Sequence, residues 1–240
     1  MNHLKTNLII TLFILAFLSS CAYYNTLFNA KNAYQEGIEI IQKEPEKENH
    51  PQADRFFEAT IEKCWKLLEI YGEDSKYADD AFLYIIKSEY YLKNYAQARQ
   101  HANQFLSKYP ESELIPEVYL WLGKVLLDQE ERQKGTEFIN RSLAATNDSK
   151  IKAQVYYELG NLAFKDSSYQ KAVEEFEKAL DEKIDEQYAA FIQFYLGESY
   201  YHQQQYKEAI PRYKRVEKYS PSLDVEYKTK FNLARSYSEL

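Results

Sequence analysis

The sequence has few of the residues on which most catalytic, metal and disulfide sites depend. Of its 240 residues, two are cysteine, four are histidine and six are glycine. The histidines share no close spacing with one another or with a cysteine, so no zinc-ligand pattern is present; they are His3, His50, His101 and His202. No glycine-rich loop precedes a predicted helix, which argues against a phosphate cradle. We therefore expect no metal, no cofactor and no enzymatic activity.

Two further classes are disfavoured by what is missing. No alternating run of β-branched residues is bounded by hairpin turns, so the sequence predicts no β-sheet. The formal net charge is −7, which provides no excess of basic residues. Nucleic acid is therefore not an expected partner.

What the sequence does contain is one spacing of small and large residues that recurs 37 residues later. The first copy comprises Tyr156, Leu159, Gly160, Tyr169, Ala172, Phe176 and Ala179, and the second comprises Gln193, Leu196, Gly197, Tyr206, Ala209, Tyr213 and Val216. The same step leads from Gly160 back to Gly123 and Ile86, and forward through Gly197 to Ala234. A fixed period in this range is typical of repeat arrays.

The steps within one copy predict two helices joined by a short turn. Gly160 and Ala172 are small because a larger side chain at a close helix crossing would push the axes apart. Pro110 and Pro221 end second helices, since proline disfavours helix before it. The predicted pairs are 75–93 with 95–109, 112–130 with 132–145, 148–166 with 169–181, and 185–203 with 206–219. A last helix, 222–240, either caps the array or meets a continuation of the chain or a docking partner.

This set, a small residue, then Ala twelve residues on, an aromatic four further and a small residue three further, resembles the tetratricopeptide repeat. The resemblance implies an all-α fold, a right-handed α-solenoid of about five helix pairs over residues 77–240. The usual period is 34, so longer helices or turns are expected here. A helical bundle whose spacings align by chance is the alternative.

The N-terminal residues have the layout of a secretory signal. Residues 8–18 form an apolar run interrupted only by Thr11, too short for the roughly 20 residues that span a bilayer. The run ends in Leu18-Ser19-Ser20-Cys21, which resembles the lipobox of bacterial lipoproteins. The resemblance implies a signal peptide at 1–20 and a lipid on Cys21, and Ala22 after the cysteine favours the outer membrane. An ordinary signal with a plain thiol at Cys21 is the alternative.

Residues 21–76 are predicted to hold the anchor cysteine and an irregular first helix pair. A helix over residues 23–41 is followed by a solvated loop at 42–50 and a second helix at 51–71. The apolar stripe expected on the second helix is Phe56, Ala59, Ile61, Cys64, Leu67 and Leu68. With Cys21 lipidated, Cys64 has no disulfide partner within the chain, and we interpret it as a small buried residue.

The resemblance also implies a binding surface, because the first helices of successive tetratricopeptide units line one groove. The candidate groove residues are Lys87, Tyr90, Lys124, Tyr157, Asn161, Phe194, Glu198 and Tyr201. Tyrosine, present 23 times, offers wide contact area with a polar tip, which suits recognition of a protein segment. The alternative is that these aromatic residues pack between neighbouring repeats. A clamp for a partner's carboxylate is not expected, since only Asn161 matches that residue set.

A lipobox followed by about five such repeats resembles the BamD-like family of outer-membrane lipoproteins. The runs Leu68–Ala78 and Phe105–Ser112 are similar to the junctions between repeats in that family, although Gly72 replaces the proline in the first run. The resemblance implies a non-catalytic, lipid-anchored periplasmic scaffold, with a role in β-barrel assembly and envelope proteins as partners. A repeat lipoprotein that coordinates peptidoglycan or polysaccharide machinery is the alternative.

Overall fold

The computed structural model describes residues 25–43, 47–219 and 221–240, and the regular structure in these ranges is helical, without strands. The signal segment and Cys21 lie outside the described residues. The helices are α1 (25–43), α2 (Pro51–Tyr71), α3 (Ala78–Tyr91), α4 (Tyr95–Lys108), α5 (Ile115–Asp128), α6 (Arg132–Ala145), α7 (Ser149–Lys165), α8 (Tyr169–Asp181), α9 (Glu186–His202), α10 (Tyr206–Val216) and α11 (Leu223–Ser238). A 3₁₀ turn, Glu217–Tyr219, follows α10.

The chain divides into two compact units. The N-terminal unit comprises residues 25–40 and 50–114, and the C-terminal unit comprises residues 115–240 together with the described part of 41–49. In the C-terminal unit α5 packs with α6, α7 with α8 and α9 with α10, while the first helices α5, α7, α9 and α11 also contact one another in sequence. The all-α class and the tetratricopeptide arrangement of helix pairs are thereby confirmed.

The turn inside each pair repeats with the same geometry. Lys93, Glu130, Ser167 and Gln204 have φ between 56° and 64°, and they lie 37 residues apart. The amide of the next residue donates to the carbonyl five residues earlier, as from Ser168 to Ala163 at 2.9 Å. This bond closes a helix end of the Schellman type, which requires a left-handed residue. The backbone therefore keeps the period even where the turn sequences differ.

The helix crossings explain the small residues of the repeat. A β-carbon on Gly160 would lie 2.5 Å from the ring of Phe176, and one on Gly197 would lie 2.5 Å from Tyr213. In α3 and α4 the sizes are exchanged, with buried Ile86 at the glycine position and buried Ala102 at the aromatic position. Each crossing thus accommodates one large side chain, contributed by either helix.

The first helix pair shows where the predicted core of the N-terminal unit was partly wrong. Cys64, Leu67 and Leu68 are buried as predicted, and the predicted Phe56, Ala59 and Ile61 are only partly buried, whereas Phe57 and Thr60 are fully buried. The ring of Phe57 stacks on Tyr91 at 4.9 Å, and a β-carbon on Gly37 would lie 2.8 Å from it. Since α1 crosses α2 at this glycine, the buried face is shifted by one residue from the prediction.

Candidate partner-binding surface

The candidate groove residues lie on the first helices of the pairs. Lys87 and Tyr90 belong to α3 of the N-terminal unit, and the remaining six belong to α5, α7 and α9 of the C-terminal unit. Because α5, α7, α9 and α11 contact one another in sequence, one face of the C-terminal unit carries residues from adjacent first helices. The six residues lie on these neighbouring first helices, and each of them contacts other residues of the chain; whether they bind a partner stays a prediction.

Lys124 forms an ion pair between neighbouring first helices. Its ammonium lies 3.0 Å from the carboxylate of Glu158 on α7 and 4.5 Å from the centre of the Trp121 ring. The side chains of Lys124 and Glu158 are only 14 % and 17 % exposed. At this depth the Coulomb attraction is screened less than at the surface, so the pair ties α5 to α7.

Tyr157 is part of the packing between repeats. Its ring lies 5.1 Å from that of Tyr188 on α9 and 6.3 Å from that of Phe176 on α8. Burial raises the pKa of the Tyr157 phenol above its usual range, the carboxylate of Glu158 adds to this, and a side-chain hydrogen bond with Asn161 opposes it. Tyr157 is thus a neutral, packed residue, and Asn161 is its polar neighbour one turn along α7.

Glu198 connects three helices. One of its carboxylate oxygens accepts a hydrogen bond from the hydroxyl of Tyr213 on α10 and another, at 2.6 Å, from the side-chain amide of Asn232 on α11. Burial raises the pKa of Tyr213, and the charge of Glu198 adds to the shift, so the phenol stays protonated and donates.

The two remaining aromatic residues of α9 differ in their surroundings. Phe194 packs against the buried cluster that includes Val216 and Val225, close to the ring of Tyr213 at 6.3 Å. Tyr201 is half-buried, and the guanidinium of Arg235 on α11 lies 4.8 Å from its ring centre. Phe194 therefore belongs to the interior, while Tyr201 remains accessible at the edge of the face.

In the N-terminal unit the two candidates lie in an aromatic cluster. The ammonium of Lys87 lies 5.1 Å from the ring centres of both Tyr34 and Tyr84. Tyr90 lies within 5.8 Å of the ring of Tyr95, at the start of α4. Cation–π contacts of this kind stabilise a lysine over a ring face by about 0.5–1 kcal/mol at exposed sites.

The sequence argument did not identify Glu158 and Asn232, which complete the polar contacts on this face. Each lies 34 residues after its partner, Glu158 after Lys124 and Asn232 after Glu198. The repeat contained a signal for these contacts. The residue directly after the small residue of one first helix pairs with the residue two positions before the small residue of the next first helix. We call Lys124, Glu158, Asn161, Glu198 and Asn232 the ladder; its role in binding remains a prediction.

Neither a metal centre nor a membrane-spanning helix is found in the described residues. Within these ranges no group of three or more histidine, cysteine, aspartate or glutamate residues is arranged to hold a metal ion. No helix in the same ranges combines the length and the apolar character that crossing a bilayer requires.

Comparison with known proteins identifies the repeats. Two family models, each described as tetratricopeptide repeat, match residues 157–222 and 80–112. No curated protein sequence matches the chain significantly.

The fold is shared by solved tetratricopeptide and related structures. A thermophilic TPR protein of Thermus thermophilus, TTC0263, aligns with a TM-score of 0.56 at 15 % identity over 85 % of this chain and 99 % of that one. BtubC from P. vanneervenii gives 0.57 at 13 % identity over 83 % and 91 %. MamA from Desulfovibrio magneticus RS-1 gives 0.52 at 17 % identity over 80 % and 95 %. At these identities the similarity establishes the fold alone.

Proposed function

We propose that this protein is a non-catalytic scaffold, anchored by a lipid on Cys21 in the outer membrane, that binds other envelope proteins on its periplasmic side. The observation that carries the proposal is the succession of tetratricopeptide helix pairs, an architecture typically used for protein–protein interaction, with the ladder and the aromatic residues on their first helices. Contacts within the chain already fix these side chains, so a partner can bind them with little further loss of side-chain entropy. This favours binding of an extended or helical segment.

The anchor is supported by the sequence alone. The short apolar run and the residues Leu18-Ser19-Ser20 precede Cys21 in the order that lipoprotein processing requires. Each buried methylene contributes about 0.8 kcal/mol, and a single acyl chain therefore gives only marginal attachment. Stable anchoring takes more than one acyl chain. A Cys21→Ser variant should leave the membrane pellet after an alkaline wash, whereas the unmodified protein should stay; retention of the variant would rule out acylation as the anchor.

The more specific role that we propose is in β-barrel assembly. It is supported by the combination of lipobox, repeats and the two junction sequences at residues 68–78 and 105–112. A C-terminally tagged protein, cross-linked in cells and purified in mild detergent, should bring a β-barrel insertase with it. Recovery of cell-wall or polysaccharide enzymes in its place would overturn the assembly role and favour the coordinating role in those pathways.

A charge-swapped variant provides the matched control for the ladder. Exchanging the partners, Lys124→Glu with Glu158→Lys, keeps an ion pair between α5 and α7 but inverts the charges presented on the face. We expect retained helical content, a modest loss of stability because the contact of Lys124 with the Trp121 ring is lost, and reduced capture of the partner. Equal capture by the swapped and original proteins would show that the partner binds elsewhere.

A further inference from the structure

The last helix, α11, presents an exposed apolar face. Leu223, Tyr227 and Phe231 follow one another at four-residue steps, and they are 85 %, 72 % and 55 % exposed. On its other side α11 packs against α9 and α10. Residues four apart lie on the same side of a helix, so the three side chains form one continuous stripe.

The position of Tyr227, in the middle of the stripe, is buried in the two preceding first helices. Ala153 on α7 and Ala190 on α9 are the repeat equivalents of Tyr227, and they are 0 % and 2 % exposed. Phe176 of α8 and Tyr213 of α10 cover the glycines that precede Ala234 in the repeat. The central part of the α11 stripe, at Tyr227 and Phe231, therefore corresponds to positions that pack against other helices in α7 and α9.

The repeat also specifies the charge that a helix on this face should carry. Arg212 of α10 lies 2.6 Å from Glu177 of the preceding second helix. The equivalent of Glu177 in α10 is Lys214, whose ammonium lies 5.4 Å from the ring centre of Tyr237 on α11. Glu177 is negatively charged, whereas Lys214 is positively charged. A helix that packs on α11 should therefore carry a carboxylate at the position equivalent to Arg212, where it can pair with Lys214.

The sizes on α11 constrain the same helix. Ala234 has the methyl group that Gly160 lacks, and a β-carbon on Gly160 would lie 2.5 Å from Phe176. An aliphatic side chain therefore fits opposite Ala234 better than a ring. Tyr227 is larger than its equivalents Ala153 and Ala190. The docking helix should therefore carry a small residue three positions after the aliphatic one.

We propose that the α11 stripe binds an amphipathic helix of a partner protein. The sequence pattern of that helix is a glutamate, then an aliphatic residue, then two unspecified residues, then an alanine. The inference rests on the proposed scaffold function and specifies the chemistry of one partner. The equivalent positions in α4, α6, α8 and α10 are His101, Phe138, Glu175 and Arg212, so α8 alone has the required acid. Because α8 is already packed between α7 and α9, it is not available to cover α11 of the same molecule.

The probe for this interaction is a labelled synthetic peptide with the sequence of residues 167–183 carrying Phe176→Leu. We expect saturable binding to the full-length protein in detergent, measured by fluorescence anisotropy. A second peptide that also carries Glu175→Arg should bind about fivefold more weakly, the scale of an exposed charge pair. The Lys214→Glu protein should reverse this preference, and equal affinity of the two peptides for both proteins would overturn the charge assignment.

The docking face is tested by a matched pair of surface variants. Phe231→Ser should weaken peptide binding about tenfold, as removal of a central apolar anchor does. Ile70→Ser removes an apolar side chain of similar exposure, 57 %, from α2 and should leave binding unchanged. Both sites are exposed, so each variant should keep its helical content by circular dichroism.

Three results would overturn the proposal: no binding of the first peptide, binding that is insensitive to Phe231→Ser, or a dimer in sedimentation that Phe231→Ser abolishes. The last result would make a second copy of this chain the occupant. None of these measurements depends on the membrane or on an envelope partner. Failure of the scaffold function in cells and failure of this face can therefore be distinguished.

Discussion

The ring of Phe176 fills the space beside the α-carbon of Gly160, so that a β-carbon there would lie only 2.5 Å from the ring. We predict that Gly160→Leu lowers the free energy of unfolding by about 1–3 kcal/mol, because the helices must separate to admit the side chain. Lys165→Leu, at an exposed position of the same helix, should change it by less than about 0.5 kcal/mol. Urea denaturation measures both.

The exchange of sizes in α3 and α4 provides a rescue for the same crossing. Adding Phe176→Ala to Gly160→Leu reproduces the order seen at Ile86 and Ala102, where the large residue is on the first helix. We expect the double variant to lose less unfolding free energy than the sum of the losses in the two single variants, by about 1 kcal/mol or more. Strictly additive losses would contradict a shared crossing site.

The four left-handed turn residues offer a route to a more stable protein. Ser167 and Gln204 have φ of 56° and 60°, a conformation that costs non-glycine residues about 1–2 kcal/mol. Part of that cost is offset by the greater freedom of glycine in the unfolded chain. We predict that Ser167→Gly and Gln204→Gly each raise the unfolding free energy by about 0.5–1 kcal/mol.

Glycine at the neighbouring position is the control for this effect. Ser168→Gly, one residue later, lies at negative φ before α8 and should not increase stability. Thermal melts of the two variants at positions 167 and 168 separate the left-handed conformation from a general effect of glycine. An equal gain from both would contradict the assignment.

The ion pair of Lys124 and Glu158 is expected to contribute more than the exposed pair of Arg132 and Asp166. A double-mutant cycle with Lys124→Met and Glu158→Gln should give a coupling of about 1–2 kcal/mol, since both side chains are mostly buried. For Arg132 and Asp166, which are 52 % and 44 % exposed, the coupling should be below about 1 kcal/mol. Only the second should fall in about 1 M salt; equal salt dependence would count against the buried pair.

Cys64 predicts a loss of stability at alkaline pH. Burial raises the pKa of its thiol from 9.0 to about 12. Between these values the unfolded chain releases the thiol proton while the folded protein retains it, so stability is complete below about pH 9 and falls as the pH rises towards about 12. The slope from this one group is up to about 1.4 kcal/mol per pH unit.

The measurement compares slopes, because tyrosines ionise in the same range. Unfolding free energies of the original protein and of Cys64→Ala are determined by urea denaturation from about pH 8 to about pH 11. At about pH 8 the Cys64→Ala variant should have a lower unfolding free energy than the original protein, because removing the sulfur leaves a cavity. Its unfolding free energy should then fall less steeply as the pH rises. Parallel curves would mean that the thiol does not remain protonated in the folded protein.

Most of the helix pairs could be predicted because their determinants are local and periodic. The small residue at Gly160 and the apolar steps around it depend on contacts within one pair, so a single copy carries the information. The predicted helix 148–166 and the observed α7, Ser149–Lys165, accordingly differ by one residue at each end. In the first pair the signal was weaker, since the burial of Phe57 depends on where α1 crosses, and that contact has no repeat to reveal it.

The candidate site was harder to predict for a different reason. Periodicity assigned Tyr157 and Phe194 to the first helices correctly, but it could not distinguish a side chain that faces solvent from one that packs on the next pair. That choice depends on the neighbour, as with Tyr188 beside Tyr157. Pro211, inside α10, was likewise missed, because the sequence argument treated prolines only as helix ends.

The exchange of sizes at the helix crossings bears on how such an array can grow. Both members of each crossing, such as Gly197 and Tyr213, belong to one 37-residue segment, as does the left-handed residue Gln204 of its turn. A tandem duplication of that DNA would therefore produce a copy whose internal fit is already correct. The contacts that link one copy to the next, such as Glu177 with Arg212, would then need new mutations, and at these two positions the neighbouring copies carry the opposite charges, Glu175 and Lys214.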